Sequence, residues 1–153
     1  MKILIINGPN LHALGRREVG IYGSKSWDEI ALELSAYAAT LGVDLLYSQS
    51  NYEGALIDRI WQAVDEDISG IVINPGGLTH TSVSLLDALR GASIPAVEVH
   101  LSNIFNREGY RHESVTAPGC IGIVAGFHEL GYRMALYGLV CYLRGQEKEE
   151  IKN

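Results

Sequence analysis

The sequence predicts an α/β domain in which helices cover both faces of a parallel sheet. Five short apolar runs alternate with longer segments of helical period, and they are Ile3–Ile6, Leu45–Ser48, Ile71–Ile73, Ala96–Leu101 and Ile121–Ala125. Most of these runs are continuously apolar, as strands are when both faces of the sheet are buried. Five βα units in 153 residues predict an open, doubly wound, five-stranded sheet of flavodoxin type with three αβα layers.

The helices are indicated by their boundaries and by apolar spacing. Ser26 and Glu29 match a capping box before the first long helix, and Gly42 ends it. A fourth helix is predicted from about residue 128 to 143, followed by a charged, solvated tail at 146–153. The positions predicted to be buried are Trp27, Ile30, Ala31, Leu34, Ala38 and Leu41 in the first helix, Leu56, Ile57, Ile60, Trp61 and Val64 in the second, and Val83, Leu86 and Leu89 in a third that starts near Thr81 or Ser82.

Composition restricts the class of protein. A chain with 47% hydrophobic and 20% charged residues is globular, and its length predicts a single domain over residues 1–153. The net charge of −6 argues against nucleic acid as a partner. The apolar run before Asn7 is too short for a signal-peptide core or a membrane span. Cys120 and Cys141 lie in apolar runs without metal-type spacing, which predicts reduced core residues in a cytoplasmic protein.

Unusual polar residues cluster where the predicted strands end. They occupy segments 7–22, 74–81 and 100–111, and parallel α/β sheets bind ligands at the carboxyl ends of their strands. The connection over residues 9–23 is long, contains three glycines and two adjacent arginines, and is predicted to be a mobile lid. These segments therefore define the candidate site.

Two groups in these segments suit acid–base chemistry. Glu98 and His100 lie on one face of the fourth strand, and a carboxylate beside an imidazole fixes its tautomer and favours its protonated form. The alternative is a buried histidine satisfied by its neighbour. Arg17 and Tyr22 share the predicted lid, where a guanidinium would favour the phenolate, although either residue alone is usually a surface group.

Several residues suit an anionic ligand. Arg107 and Arg111 follow the fourth strand, and guanidinium groups bind carboxylates or stabilise a developing anion. Asn74 precedes Pro-Gly-Gly and a helix start, which allow close backbone approach and offer N–H groups to a carboxylate. A capped turn without a ligand is the alternative for this segment.

Metal and imine chemistry fit less well. His80, His100 and Glu98 lack a paired ligand spacing and stand beside arginines, which would repel a cation. No lysine falls at the carboxyl end of a predicted strand, so an imine-forming nucleophile is lacking. We therefore predict that the site uses neither a metal nor an organic cofactor.

The residues resemble those of the type II 3-dehydroquinate dehydratases along nearly the whole chain. The matching stretches, in order, are Asn7-Gly8-Pro9-Asn10-Leu11, Leu14-Gly15-Arg16-Arg17-Glu18, Ile21-Tyr22-Gly23, Gln49-Ser50-Asn51 with Glu53-Gly54, Ile73-Asn74-Pro75-Gly76, Thr79-His80-Thr81-Ser82, Glu98-Val99-His100-Leu101-Ser102-Asn103, Arg107-Glu108, and Arg111-His112 with Ser114.

The resemblance implies a reaction and a role for each group. Tyr22, kept as a phenolate by Arg17 and Arg107, removes a proton next to the substrate ketone, and His100, oriented by Glu98, protonates the departing hydroxyl. Asn10 and the Pro9 region hold a water that stabilises the enolate. The substrate carboxylate is bound by Asn74, Leu101 and Ser102, and the ring hydroxyls are bound by His80 and Arg111. Asp87 reaches the site of a neighbouring subunit. The resemblance also implies trimers that assemble into a homododecamer. It further implies a role in the shikimate pathway of aromatic amino-acid synthesis.

Five positions depart from the family pattern, and they are His12, Val19, Tyr52, Phe105 and Glu113. None removes a proposed catalytic group, but His12 and Val19 lie in the predicted lid. Two alternatives stay open from sequence: a non-catalytic module that binds a small carboxylate, and a lyase or isomerase for another hydroxy-keto acid. The presence of Arg17, Tyr22, Glu98 and His100 together favours an enzyme, because binding alone needs neither base nor acid.

Overall fold

The sheet has the topology that the sequence predicts. The computed structural model describes residues 1–16 and 19–150. Its strands are β1 (Lys2–Asn7), β2 (Asp44–Gln49), β3 (Gly70–Asn74), β4 (Ala96–His100) and β5 (Gly122–Ala125). They pair in parallel in the order β2-β1-β3-β4-β5. This order is the flavodoxin-type order, so the predicted fold class is confirmed.

Helices cover both faces of this sheet. They are α1 (Val19–Tyr22), α2 (Trp27–Leu41), α3 (Glu53–Asp65), α4 (Val83–Ala92) and α5 (Leu130–Glu150). Helices α2 and α5 pack on one face, and α3 and α4 pack on the other. Residues Ile3–Ile6 of β1 are 0% exposed, because this central strand is covered on both sides. A strand that is covered on both faces needs apolar residues at successive positions, which explains the continuous apolar runs of the sequence.

The boundaries of α2 follow the predicted capping pattern. The Ser26 amide donates to Glu29 Oε2 at 2.8 Å, and the Glu29 amide donates to Ser26 Oγ at 3.3 Å. Gly42 ends the helix with a φ of 65°, in the left-handed region that glycine adopts without strain. Both predicted ends of this helix are confirmed.

Part of the predicted helix burial is wrong. Val83 is 58% exposed and Leu85 is buried instead, while Trp61 and Val64 are 47% and 43% exposed. The buried positions of α4 are Leu85, Ala88 and Leu89, and those of α3 are Leu56, Ile60 and Ala63. Both sets follow helical spacing. Trp61 and Val64 each come one position after a buried residue of α3, and Val83 is the first residue of α4, two positions before Leu85, so all three lie beside the buried stripe.

The predictions for Cys141 and the chain end also need correction. Cys141 is exposed and Cys120 is partly buried, so Cys141 is not a core residue. Helix α5 runs to Glu150 instead of ending near residue 143, because arginine, glutamine, glutamate and lysine extend a helix readily. Among the described residues, no helix combines the length and the hydropathy needed to cross a bilayer.

Candidate active site

The carboxyl ends of β1, β3 and β4 open into one cavity of about 140 Å³. Its wall is formed by the loops that follow these three strands. Among the residues that line it are ten of the predicted site residues, namely Pro9, Asn10, Tyr22, Asn74, His80, His100, Leu101, Ser102, Arg107 and Arg111. The topology therefore brings together side chains that the sequence separates by up to about a hundred positions.

Two of the described site residues, Glu98 and Asp87, do not line this cavity. Glu98 is fully buried behind His100 and does not itself line the cavity. Asp87 is exposed on α4 and is not among the lining residues of its own chain. Arg17 lies outside the residues that the structure describes.

Close backbone packing sets the position of Pro9 and Asn10. The Gly8 amide donates to the Asn74 carbonyl at 2.8 Å, and a Cβ on Gly8 would overlap the Pro75 carbonyl oxygen. The Asn10 amide donates to Asn51 Oδ1 at 2.9 Å. Only glycine permits this approach of the loops after β1 and β3, and the approach places Asn10 at the cavity.

Arg107 contacts the predicted base directly. Its Nη1 donates to the Tyr22 hydroxyl at 3.2 Å and to Ser102 Oγ at 3.3 Å, with the guanidinium carbon 5.6 Å from the centre of the Tyr22 ring. The hydrogen bond with Tyr22 raises the pKa of Arg107 above its ordinary value, despite the opposing effect of burial. A permanently charged donor thus lies against the phenolic oxygen.

Glu108 bridges the two arginines of the loop, a contact not considered in the sequence analysis. Its Oε2 lies 3.3 Å from Arg107 Nε and 3.1 Å from Arg111 Nε. A hydrogen bond with its own backbone and the two guanidinium charges hold the pKa of Glu108 below its usual value. Because this carboxylate is exposed, it orients the guanidinium groups while it leaves much of their charge to a ligand.

The predicted carboxylate–imidazole pair is present. His100 Nε2 lies 2.7 Å from Glu98 Oε1, and the two residues are 5% and 0% exposed. Burial favours the neutral acid, but hydrogen bonds from His100, Thr116 and Ser114 outweigh it and lower the pKa of Glu98. His100 is therefore satisfied by its neighbour on one side and lines the cavity on the other.

His80 is oriented by a contact with a backbone carbonyl. Its Nδ1 lies 2.7 Å from the Glu113 carbonyl oxygen. Glu113 is one of the departures from the family pattern, and its contribution here comes from the main chain, which any residue would supply. Glu113 is exposed, and so are three of the other departures, His12, Tyr52 and Phe105. The side chain of the fifth, Val19, lies outside the described part of the chain.

Tyr132 was missed by the sequence analysis. It is 0% exposed on α5, donates to Asn7 Oδ1 at 2.7 Å and accepts from Asn74 Nδ2 at 3.1 Å. Burial raises the pKa of Tyr132, so the hydroxyl keeps its proton and donates it. The helical spacing of α5 predicts only an apolar stripe, and no local pattern marks a tyrosine that bonds to the ends of two strands.

Tyr132→Phe is expected to destabilise the protein by about 1–3 kcal/mol, because it leaves a buried acceptor on Asn7 and a buried donor on Asn74 without this partner. Urea unfolding measures the difference. Tyr142→Phe, on the same helix but 42% exposed, is the control and should change the free energy of unfolding by less than about 0.5 kcal/mol. Equal stability of the two variants would show that the Tyr132 hydroxyl is dispensable.

Comparison with known proteins agrees with this geometry. A family model described as dehydroquinase class II matches residues 1–140. The 3-dehydroquinate dehydratase of Prochlorococcus marinus is 51% identical over 144 residues, which cover 94% of this chain and 96% of that protein. The corresponding protein of Caldicellulosiruptor saccharolyticus is 50% identical over 138 residues, with coverages of 90% and 95%.

Solved structures show the same relationship. The type II dehydroquinase of Butyrivibrio crossotus superposes with a TM-score of 0.89 at 46% identity, covering 91% of this chain and 97% of that one. The type II dehydroquinase of Propionibacterium acnes gives 0.87 at 41% identity, with coverages of 92% and 96%. The chain belongs to the class II dehydroquinase family.

Proposed function

We propose that this chain is a hydro-lyase that converts 3-dehydroquinate to 3-dehydroshikimate by anti elimination through an enolate, as part of the shikimate pathway. The observation that carries the proposal is a single cavity that holds a tyrosine hydroxyl against a guanidinium and a histidine against a buried carboxylate. The relatives named above support the substrate. The comparisons give no support to a non-catalytic carboxylate-binding module.

The first half of the reaction needs a base and a stabilised anion. Tyr22 removes the proton next to the ketone, and Arg107 stabilises negative charge on its oxygen through the 3.2 Å contact. Arg17 is proposed to act with Arg107. A water held by Asn10 and the Pro9 region stabilises the enolate, and the left-handed backbone of Asn10, with a φ of 68°, directs this residue at the cavity.

The second half needs an acid. Glu98 occupies one ring nitrogen of His100, which leaves the other for the ligand. His100 donates its proton to the hydroxyl β to the ketone, and this group departs readily once the enolate has formed. The first step is a proton transfer, and in the second the C–O bond breaks, the protonated hydroxyl leaves as water and the electron pair of the enolate forms the new C=C bond. Because neither step changes the number of electrons in the substrate, we propose that no cofactor or metal is required.

The remaining cavity residues are proposed to bind the anionic substrate. Asn74, Leu101 and Ser102 lie where β3 and β4 end and bind its carboxylate, while His80 and Arg111 hold ring hydroxyls. Arg111 then shares its guanidinium between Glu108 and the ligand. Residues 1–153 are proposed to form a single catalytic domain that acts in the cytoplasm.

The direct test is turnover. Purified protein mixed with 3-dehydroquinate should produce a rise in ultraviolet absorbance, because the product is a conjugated enone. Isothermal calorimetry with the same compound distinguishes the alternative: binding without any absorbance change, in a folded protein, would overturn the enzymatic proposal. Turnover of a different hydroxy-keto acid only would move the chain to another substrate.

We further propose a homododecamer of four trimers in which Asp87 reaches a neighbouring subunit's cavity. What supports this is the exposed position of Asp87 on α4, away from the cavity of its own chain. Light scattering is expected to give a particle of twelve chains of 16.7 kDa each, and Asp87→Ala should raise KM in that assembly. A monomer with full activity would rule out the shared site.

A further inference from the structure

The Glu98 carboxylate is surrounded by hydroxyl groups as well as by His100. Its Oε1 lies 2.8 Å from Thr79 Oγ1 and 2.7 Å from Ser114 Oγ, and its Oε2 lies 2.5 Å from Thr116 Oγ1. Glu98, Thr79 and Thr116 are 0% exposed. We call Thr79, Ser114 and Thr116 the hydroxyl cluster. It lies behind the wall of the cavity, so its effect on a ligand must pass through Glu98.

The cluster favours the ionised form of Glu98. A carboxylate can accept from every surrounding donor, whereas a neutral acid would have to donate one proton itself and would lose an acceptor. Thr79 Oγ1 also lies 2.8 Å from both Ser114 Oγ and Thr116 Oγ1, so the three oxygens are packed closely together around the carboxylate. Their hydrogen bonds help to offset the cost of burying a charge, which is considerable for an isolated carboxylate.

The hydroxyls come from two different loops. Thr79 belongs to the 3-10 helix Gly76–His80 that follows β3, whereas Ser114 and Thr116 lie between Arg111 and β5. The Val115 amide donates to the Thr79 carbonyl at 2.7 Å, which joins the loops directly. Both loops thus converge on one carboxylate of β4, immediately behind His100.

We propose that the hydroxyl cluster positions the acid of the reaction: it fixes the Glu98 carboxylate, and Glu98 in turn holds the His100 ring in the orientation that delivers a proton to the leaving hydroxyl. This inference rests on the proposed dehydration. Thr79, Ser114 and Thr116 are positioning residues, because they act through Glu98 and not on the substrate.

Other ionisable groups lie on the elements around this pair. Burial and the charge of Glu98 raise the pKa of Cys120 to about 12, and burial raises the pKa of Tyr132, so both stay neutral near neutral pH. Arg107, with its raised pKa, stays cationic. Among the described residues, the other ionisable groups that line the cavity are Tyr22, His80 and Arg111. The pH dependence of each variant is therefore compared with that of wild type, and none of the variants changes any of these ionisable groups.

Thr116→Val removes one donor while it keeps the shape of the side chain. We expect kcat to fall about ten-fold or more, as for a lost hydrogen bond to a charged group, with KM changed less than about two-fold. The pH dependence of kcat should also change. Because Glu98 accepts one hydrogen bond fewer in this variant, its pKa rises, and on acidification the carboxylate is protonated at a higher pH than in wild type. The acid limb of the kcat profile should therefore move to higher pH.

Matched variants separate this role from a structural one. Thr116→Ser restores a hydroxyl and should recover both kcat and the position of the acid limb, while Thr79→Val repeats the loss from the other loop. Thr40→Val, an exposed threonine on α2, is the control for the chemical change and should behave as wild type. Thermal unfolding confirms that each variant is folded. A folded Thr116→Val with wild-type kcat and acid limb, or a Thr116→Ser as impaired as Thr116→Val, would overturn the proposal.

A second readout does not depend on turnover. In the unliganded protein, the Glu98 carboxyl carbon can be followed by NMR during a pH titration, and it should take up its proton at higher pH in Thr116→Val than in wild type, because the Thr116 hydrogen bond helps to lower the pKa of Glu98. If wild type does not dehydrate 3-dehydroquinate, the proposed function fails while this titration still tests the cluster. If wild type turns over and the Glu98 titration is unchanged in both valine variants, the cluster inference fails by itself.

Discussion

Tyr22→Phe is expected to abolish turnover while the fold and ligand binding stay nearly intact. The change removes only the ionisable oxygen that receives the Arg107 hydrogen bond at 3.2 Å. Proton abstraction by a placed base contributes roughly a hundred- to ten-thousand-fold to the rate. Steady-state kinetics with 3-dehydroquinate should therefore show a fall in kcat of at least two orders of magnitude, with the change in binding measured separately by calorimetry.

Tyr52→Phe is the matched control, because this tyrosine is 78% exposed at the start of α3 and lines no part of the cavity. Its kcat and KM should equal those of wild type. The assignment of Tyr22 as base is wrong if Tyr22→Phe keeps more than about a tenth of the wild-type kcat. Another group at the cavity would then have to remove the proton.

His100→Ala is expected to block dehydration and still permit exchange of the substrate's acidic C–H with heavy water. The base is intact in this variant, so the enolate forms and returns, whereas the hydroxyl cannot leave without its proton. NMR of the recovered substrate measures deuterium incorporation, and ultraviolet absorbance measures product. Tyr22→Phe is the control, and it should show neither exchange nor product.

The exchange experiment requires that the proton on Tyr22 reach solvent before it returns to carbon. If His100→Ala binds the substrate normally, under conditions in which the Tyr22 proton exchanges with solvent, and still shows neither exchange nor turnover, His100 also serves enolate formation. Near wild-type turnover would instead mean that His100 is a buried structural histidine. Glu98→Gln should be milder than His100→Ala, because the amide keeps the shape of the side chain and the position of the ring while His100 loses its anionic hydrogen-bond partner.

Local patterns were sufficient for the elements and for part of the site. The apolar runs identify the strands of the sheet to within about two residues, and the capping box locates the start of α2, because both signals depend on neighbours in the chain. Glu98 and His100 could be paired from sequence because alternate residues of a strand share a face. The identities of Val83 and Cys141 did not reveal their exposure, since an apolar residue beside the buried stripe has the same local context as one inside it.

Contacts between distant segments were decided only by the tertiary structure. Thr116 reaches Glu98 across 18 positions and Tyr132 reaches Asn7 across 125, and no periodicity relates such residues. The strands and the polar residues at their carboxyl ends could be predicted from the sequence. The chemistry expected at those ends came from the resemblance of the sequence to a family. The tertiary structure decided which hydroxyls and amides surround the buried Glu98 and Asn74, because a buried polar group must take its partners from whichever loops the packed sheet brings next to it.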